Sequence, residues 1–163
     1  MSTARRVRID DLGAWLLRAN PRTGDVVEHL AEGLRNATTR CVRSSYRTDL
    51  VRPGQRVLLW VSGGSRELPP GIHGHGTVTG RCTTRAGALE MPVRLRPLES
   101  PVLRPELLAD LVLARLEVLV QPQGSNPSYV SMGQWLALLD RAPELAQPVP
   151  GDGPGPCSEG PTA

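Results

Sequence analysis

The stretch Arg56-Val57-Leu58-Leu59-Trp60-Val61-Ser62 decides the fold. It is rich in β-branched and aromatic residues, follows a Pro53-Gly54 turn and stops at Gly63-Gly64, which together read as a strand. Strand side chains alternate between faces, so Val57, Leu59 and Val61 share one side. The other side carries Arg56, Leu58, Trp60 and Ser62, is only partly apolar, and leaves Trp60 between core packing and the wall of a cavity.

Toward the N-terminus, Ala14-Trp15-Leu16-Leu17 forms a second apolar run that ends at Asn20-Pro21 and reads as a mostly buried strand. Asp25 is placed to cap a helix over 25–35, in which Val26, Val27, Leu30, Ala31 and Leu34 recur at helical spacing. Thr38 to Val42 reads as a further strand. Residues 1–11 mix Arg and Asp without periodicity and are expected to be an N-terminal extension.

Toward the C-terminus, 72–80 alternates and carries three glycines, as strands do where another backbone or a ligand comes close. Residues 88–98 alternate again. Pattern alone leaves 105–120 open between helix and strand, because Leu108, Leu111, Val112 and Leu116 fit one period and Leu116, Val118 and Val120 the other. Ser131-Met132-Gly133-Gln134 has the form of a capping box that opens a last helix. From Ala142 the chain is rich in Pro and Gly and is expected to be a disordered tail over 142–163. The order of elements predicts an α+β fold, a curved and mainly antiparallel sheet or small open barrel flanked by helices, over 12–141.

A chain of 163 residues with 39% hydrophobic content fits one domain and excludes large multidomain enzymes. No apolar run approaches the ~20 residues needed to cross a bilayer, and the first residues lack the apolar core of a secretion signal, so the expected location is cytoplasmic. All 19 basic residues are Arg, which removes Walker and Schiff-base lysines, and no P-loop, nucleophile elbow or dinucleotide fingerprint occurs. The net charge of +3 is compatible with a nucleic-acid partner without demanding one. Cys41, Cys82 and Cys157 form no CxxC pair and read as reduced thiols. His73 and His75 share a strand face but lack a third ligand of metal-site spacing, so no metal and no cofactor is expected.

Four blocks in order, AWLLRANP (14–21), RCVRSSYRTDLVRPGQRVLLWVSGG (40–64), PPGIHGHGTVTG (69–80) and QPQGSNPSYVSMGQW (121–135), resemble the EVE domain, a branch of the PUA-like superfamily related to YTH and ASCH domains. The resemblance spans about residues 12–140 and implies a barrel-like sheet with a pocket for a single, often modified, nucleobase. Stacking on an aromatic ring is worth ~1–3 kcal/mol per base, and a dry pocket reads the polar edges.

The five aromatic residues are Trp15, Tyr46, Trp60, Tyr129 and Trp135, and Trp135 falls on the apolar face of the last helix. Trp15 lies within an apolar strand and reads as core, although the resemblance sets it beside the pocket. Tyr129 stands between a surface turn and a pocket lid. Arg43-Ser44-Ser45-Tyr46-Arg47 gathers hydroxyls, a phenol and two guanidiniums after a strand, and in relatives an aromatic residue precedes this block where Thr39, Arg40 and Cys41 stand here. Arg40 is the one planar group there able to stack. The expected nucleobase contacts are therefore Trp15, Asn20, Ser44, Ser45, Tyr46, Trp60, Ser62, His75 and Tyr129, with Arg43 and Arg47 on phosphate. The base is expected to dock between Trp60 and either Trp15 or Tyr46.

The function this implies is a binding module for DNA or RNA bearing a modified or flipped base, without catalysis and without a membrane partner. Two other classes compete with it. One is a small ASCH-type nucleic-acid hydrolase with His75 as general base; the other is a protein-interaction module whose pocket is vestigial, marked by a fully packed Trp60 and no cleft near Tyr46.

Overall fold

The computed structural model describes residues 6–63 and 66–149. Seven strands form one open sheet: β1 (Leu12–Ala19), β2 (Thr39–Cys41), β3 (Arg56–Val61), β4 (Gly71–Val78), β5 (Thr83–Arg85), β6 (Ala88–Leu103) and β7 (Ser128–Ser131). The order across the sheet is β2-β6-β4-β3-β1-β7, and β5 pairs with β6. β1 and β3 run parallel, with Trp15 beside Val57 and Leu17 beside Leu59; the other pairs are antiparallel. The architecture is the α+β, mostly antiparallel, curved sheet expected, and the sheet does not close into a barrel.

Both faces of the sheet are covered, which is why β1 reads as an apolar run rather than an alternation. One core contains Trp15, Leu17, Val57, Leu59, Val61 and Met91, covered by α1 (Val26–Ala31) and the loops around it. The opposite core contains Leu16, Leu58, Trp60, Ile72, Leu107, Leu113 and Trp135. It is covered by α2 (Arg104–Leu108), α3 (Glu117–Val120) and α4 (Met132–Arg141). Residues 105–120, open between two readings, thus resolve as short helices rather than a strand. The capping box forms as expected: Ser131 Oγ accepts from the Gln134 N–H at 3.2 Å, and the Ser131 N–H donates to Gln134 Oε1 at 3.0 Å.

α1 is shorter than the 25–35 expected. Gly33 and Leu34 adopt φ of +76° and +61° and turn the chain, and burial of Leu34 offsets the left-handed conformation. Asp25 does not cap the helix; its carboxylate faces His29 Nε2 at 3.5 Å and Arg40 at 3.8 Å. The glycines of β4 answer a neighbouring backbone rather than a ligand. A Cβ on Gly76 would lie 1.7 Å from the Arg94 carbonyl oxygen on β6.

Two boundaries move. Residues 6–11 belong to the packed body, with Val7 buried and a turn of 3-10 helix over Ile9–Asp11. Residues 142–149 depart from the expected tail: Pro143–Ala146 forms a 3-10 turn, and Ala142, Leu145 and Val149 are buried. Three widely spaced apolar residues suffice to anchor this segment, a signal that its proline content masked. The rest of the expected tail, 150–163, and residues 1–5 lie outside the described residues.

Candidate functional site

Trp15 and Trp60 cannot hold a base between them. They lie on opposite faces of the sheet, at 0% and 3% exposure, each within a separate core. Alternation makes this unavoidable: β1 and β3 run parallel with Trp15 opposite Val57, so Trp15 shares a face with Val57 and Leu59 while Trp60 takes the other. The Trp15 indole donates to Gln55 Oε1 at 2.8 Å, and Gln55 in turn accepts from the Arg52 N–H at 2.7 Å, which completes a satisfied buried polar group. The mixed face of β3 is a second core, and the expected hollow between β3 and the Ser-Ser-Tyr loop is filled by the protein's own side chains.

His75 is also withdrawn. It is 4% exposed, beside Leu58 on β3 and Arg96 on β6, and burial followed by the Arg96 charge pushes its imidazole below the ordinary value. It borders a small cavity of about 330 Å³ beneath Trp135 and residues 147–149. It lies outside the cleft that opens along β7. His73 Nε2 lies 2.7 Å from the Pro69 carbonyl oxygen. Among the described residues no cluster of three metal-ligating side chains occurs.

The polar candidates serve local turns. Asn20 Oδ1 accepts from the Arg22 N–H at 2.9 Å, Ser45 Oγ from the Arg47 N–H at 3.2 Å, and Ser62 Oγ donates to the Ala19 carbonyl at 3.3 Å. Ser44 and Arg43 are exposed, and the Arg43 N–H donates to the Asn126 carbonyl at 2.7 Å. Tyr46 is half-buried; its hydroxyl accepts from the Val7 N–H at 2.9 Å, and the Arg6 guanidinium lies 4.6 Å from its ring centre. Arg40 contacts Asp25 rather than presenting a free stacking plane.

A cleft of about 620 Å³ does open along β7, the terminal strand of the sheet. Its lining brings together Arg6, Arg8 and Asp11 from the N-terminal segment, Arg47, then Arg115, Glu117, Val120 and Gln121 around α3, and Tyr129, Ser131 and Gln134. Two of the expected residues, Arg47 and Tyr129, are here; the other nine are not among its lining. Tyr129 is the aromatic ring of the set. Its hydroxyl donates toward the Asp11 carbonyl and carboxylate at 2.8 and 2.7 Å, so the ring is held from its far end.

Arg47 is committed elsewhere than to phosphate. It makes two bonds to Glu117, at 2.6 and 2.9 Å, and a third to the Pro127 carbonyl at 3.2 Å. The hydrogen bond it donates to Glu117 is the main reason its guanidinium is raised further above its ordinary range. The cation thereby ties the Tyr46 loop to α3 and to the loop before β7. Arg18 acts beside it, donating to the Pro122 carbonyl, to the Gln121 carbonyl at 2.9 Å and to Ser128 Oγ at 3.3 Å.

Sequence reasoning missed Arg6, Arg8, Asp11 and Arg115 as cleft residues. The dense Arg5-Arg6-Val7-Arg8 run was the available signal, together with Val7 as the apolar residue that anchors it. Four guanidiniums line this cleft with two carboxylates; Arg47 is paired with Glu117 and Arg8 Nε lies 3.3 Å from Asp10 Oδ1, so the surplus of positive charge that favours an anion is small.

No family model matches the sequence, and no curated protein matches it. Solved structures are similar over most of their length. Protein Atu2648 from Agrobacterium tumefaciens is 13% identical with a TM-score of 0.62, over 83% of this chain and 96% of that one. A hypothetical protein from Leishmania major is 18% identical with a TM-score of 0.61, over 84% and 98%. Rpa0253 from Rhodopseudomonas palustris is 18% identical with a TM-score of 0.59, over 82% and 95%. At these identities the likeness is one of fold, and it extends across nearly the whole of each of those proteins.

Proposed function

We propose that this protein is a nucleic-acid-binding module that receives one nucleotide, withdrawn from its neighbours, in the cleft along β7. The observation that carries the reading is the pairing in one cavity of a tethered aromatic ring, Tyr129, with the exposed guanidiniums of Arg6, Arg8 and Arg115. A nucleotide is the common ligand that offers a flat π face and a phosphate a few ångströms apart. The cavity volume lies within the ~300–1,000 Å³ range of small-molecule sites. Because the Tyr129 hydroxyl is already bonded to Asp11, the ring loses little freedom on stacking. α4 opens toward the same cleft at Ser131–Gln134, and a helix N-terminus favours an anion. The resemblance to EVE-type modules is consistent with this use of the fold, with the base seated beside Tyr129 rather than beside Trp60.

The test is fluorescence anisotropy with labelled oligonucleotides carrying natural and modified bases. Tyr129→Leu is expected to weaken binding about tenfold or more. Arg8→Ala and Arg115→Ala are each expected to reduce the slope of log K against log salt by about one. Unchanged affinity in all three variants overturns the reading.

A further inference from the structure

We propose that the turn carrying Leu111 and Val112 is a rigid apolar wedge that enters a nucleic-acid duplex and occupies the gap left when a nucleotide moves into the β7 cleft. The inference rests on the nucleotide-binding reading above and narrows it: the ligand is a duplex, not only a single strand.

Leu111 is 91% exposed, the most exposed large apolar side chain among the described residues, and Val112 next to it is 47% exposed. A leucine so placed on a mobile loop would mean little. This one is fixed. Asp110 Oδ1 accepts from the N–H groups of Val112 at 2.9 Å and Leu113 at 3.1 Å, and Asp110 Oδ2 accepts from Arg141 Nε of α4 at 3.3 Å. Leu113, immediately following, is fully buried in the core beneath α4. The turn is clamped from both sides, and its apolar tip is held out in water.

The position of the tip gives it a use. Leu111 and Val112 border a surface depression of about 510 Å³ whose other walls are Arg115, Ser131, Gly133 and Gln134. Arg115, Ser131 and Gln134 also line the β7 cleft, so the two hollows are contiguous. An apolar point thus stands next to a cationic nucleotide-sized cavity, with Arg115 between them. Withdrawing a base from a duplex leaves an unstacked gap, and apolar side chains inserted between base steps are the recurrent way to fill it. Charge favours this partner over a protein: of the three residues shared by the two hollows, Arg115 is the charged one, and a guanidinium suits a phosphate backbone.

The experiment compares a hairpin duplex containing one unpaired nucleotide with a single strand of the same sequence, both fluorescently labelled, on the full chain. Leu111→Ser is expected to weaken duplex binding about tenfold and to leave single-strand binding within about twofold, with Leu111→Met retaining both. The side chain is on the surface, and circular dichroism with thermal unfolding confirms that each variant folds. A 2-aminopurine placed beside the unpaired site should brighten on binding the unaltered protein and stay dim with Leu111→Ser. Equal duplex affinity in both proteins overturns the wedge while leaving the cleft intact. Loss of a self-association by Leu111→Ser, with nucleic-acid binding unchanged, assigns the patch to a second copy and also overturns it. If neither oligonucleotide binds the unaltered protein, the cleft reading falls first and the wedge with it.

Discussion

The Arg47 guanidinium and the Glu117 carboxylate meet face to face through two bonds, 2.6 and 2.9 Å long, across 70 residues of chain. Both side chains are largely buried, at 11% and 20% exposure. This is a charge-assisted fork that fastens the loop after β2 to α3, and it explains how the base of the cleft is held. Removing one partner leaves the other without its counterion, and Glu117→Ala is expected to cost about 2–3 kcal/mol in urea unfolding. Arg47→Lys should not restore the loss, because a single ammonium cannot reproduce the fork and the bond to the Pro127 carbonyl together.

The two buried tryptophans separate folding from recognition. Trp60→Ala opens a cavity in the core beneath α4 and is expected to cost about 3–5 kcal/mol, read from the midpoint of chemical unfolding. Trp60→Phe should keep oligonucleotide affinity unchanged at temperatures where the variant is folded. A selective loss of affinity in Trp60→Phe would return the base to the β3 face and refute the cleft along β7.

Close backbone approach sets opposite signs for two glycines. Gly76→Ala forces a Cβ to within 1.7 Å of the Arg94 carbonyl oxygen, and separating β4 from β6 there should destabilise by about 3 kcal/mol or more. Gly133, in the first turn of α4, has nothing within 4 Å of the corresponding position. Gly133→Ala should therefore stabilise by about 0.5–1 kcal/mol through helix propensity and reduced freedom of the unfolded chain.

His75 links stability to pH. Its folded pKa lies below the ordinary imidazole value of 6.5 because burial, and secondarily Arg96, disfavour the imidazolium. Above 6.5 both folded and unfolded chains are neutral at this position and stability is at its full value. As pH falls below that point the unfolded chain takes up a proton first, so stability declines until the folded pKa is passed. Urea unfolding at a series of pH values between 8 and 5 should show this decline, and His75→Gln should flatten it. An identical profile in the variant would assign the dependence to another group.

How much of this was legible in the sequence follows from the distance over which each cause acts. The Ser131–Gln134 capping box and the β3 strand depend on neighbours within a few residues, and both stand where pattern places them. Local pattern leaves Trp60 open because its covering residues, Leu107 to Leu145, arrive from far along the chain and nothing nearby announces them. The same holds for Arg47: beside two serines and a tyrosine it resembles a phosphate contact, and only Glu117, 70 residues on, reveals a structural fork. Tyr129 and Arg47 stand out in the sequence, yet the cleft they share also needs Arg8 and Asp11, which read as an N-terminal extension without periodicity when taken without Val7 beneath them.

The clamp beneath Leu111 should survive mild acid. The Asp110 carboxyl is held below its ordinary value of 3.8, first by the Leu113 N–H, then by the Val112 N–H and by Arg141. For a carboxyl depressed by folding, the stabilisation is complete above the unfolded pKa and is lost as pH falls through the lower folded one. Amide exchange at Val112 and Leu113 should therefore remain protected relative to intrinsic rates down to about pH 4. Asp110→Ala should raise exchange at these two amides at every pH, while amides of β3 and β4 keep their protection. Arg141→Gln should have a smaller effect, because the two backbone bonds to Asp110 remain. If Asp110→Ala leaves both amides protected, the turn is rigid for another reason, and the carboxylate is not what holds Leu111 outward.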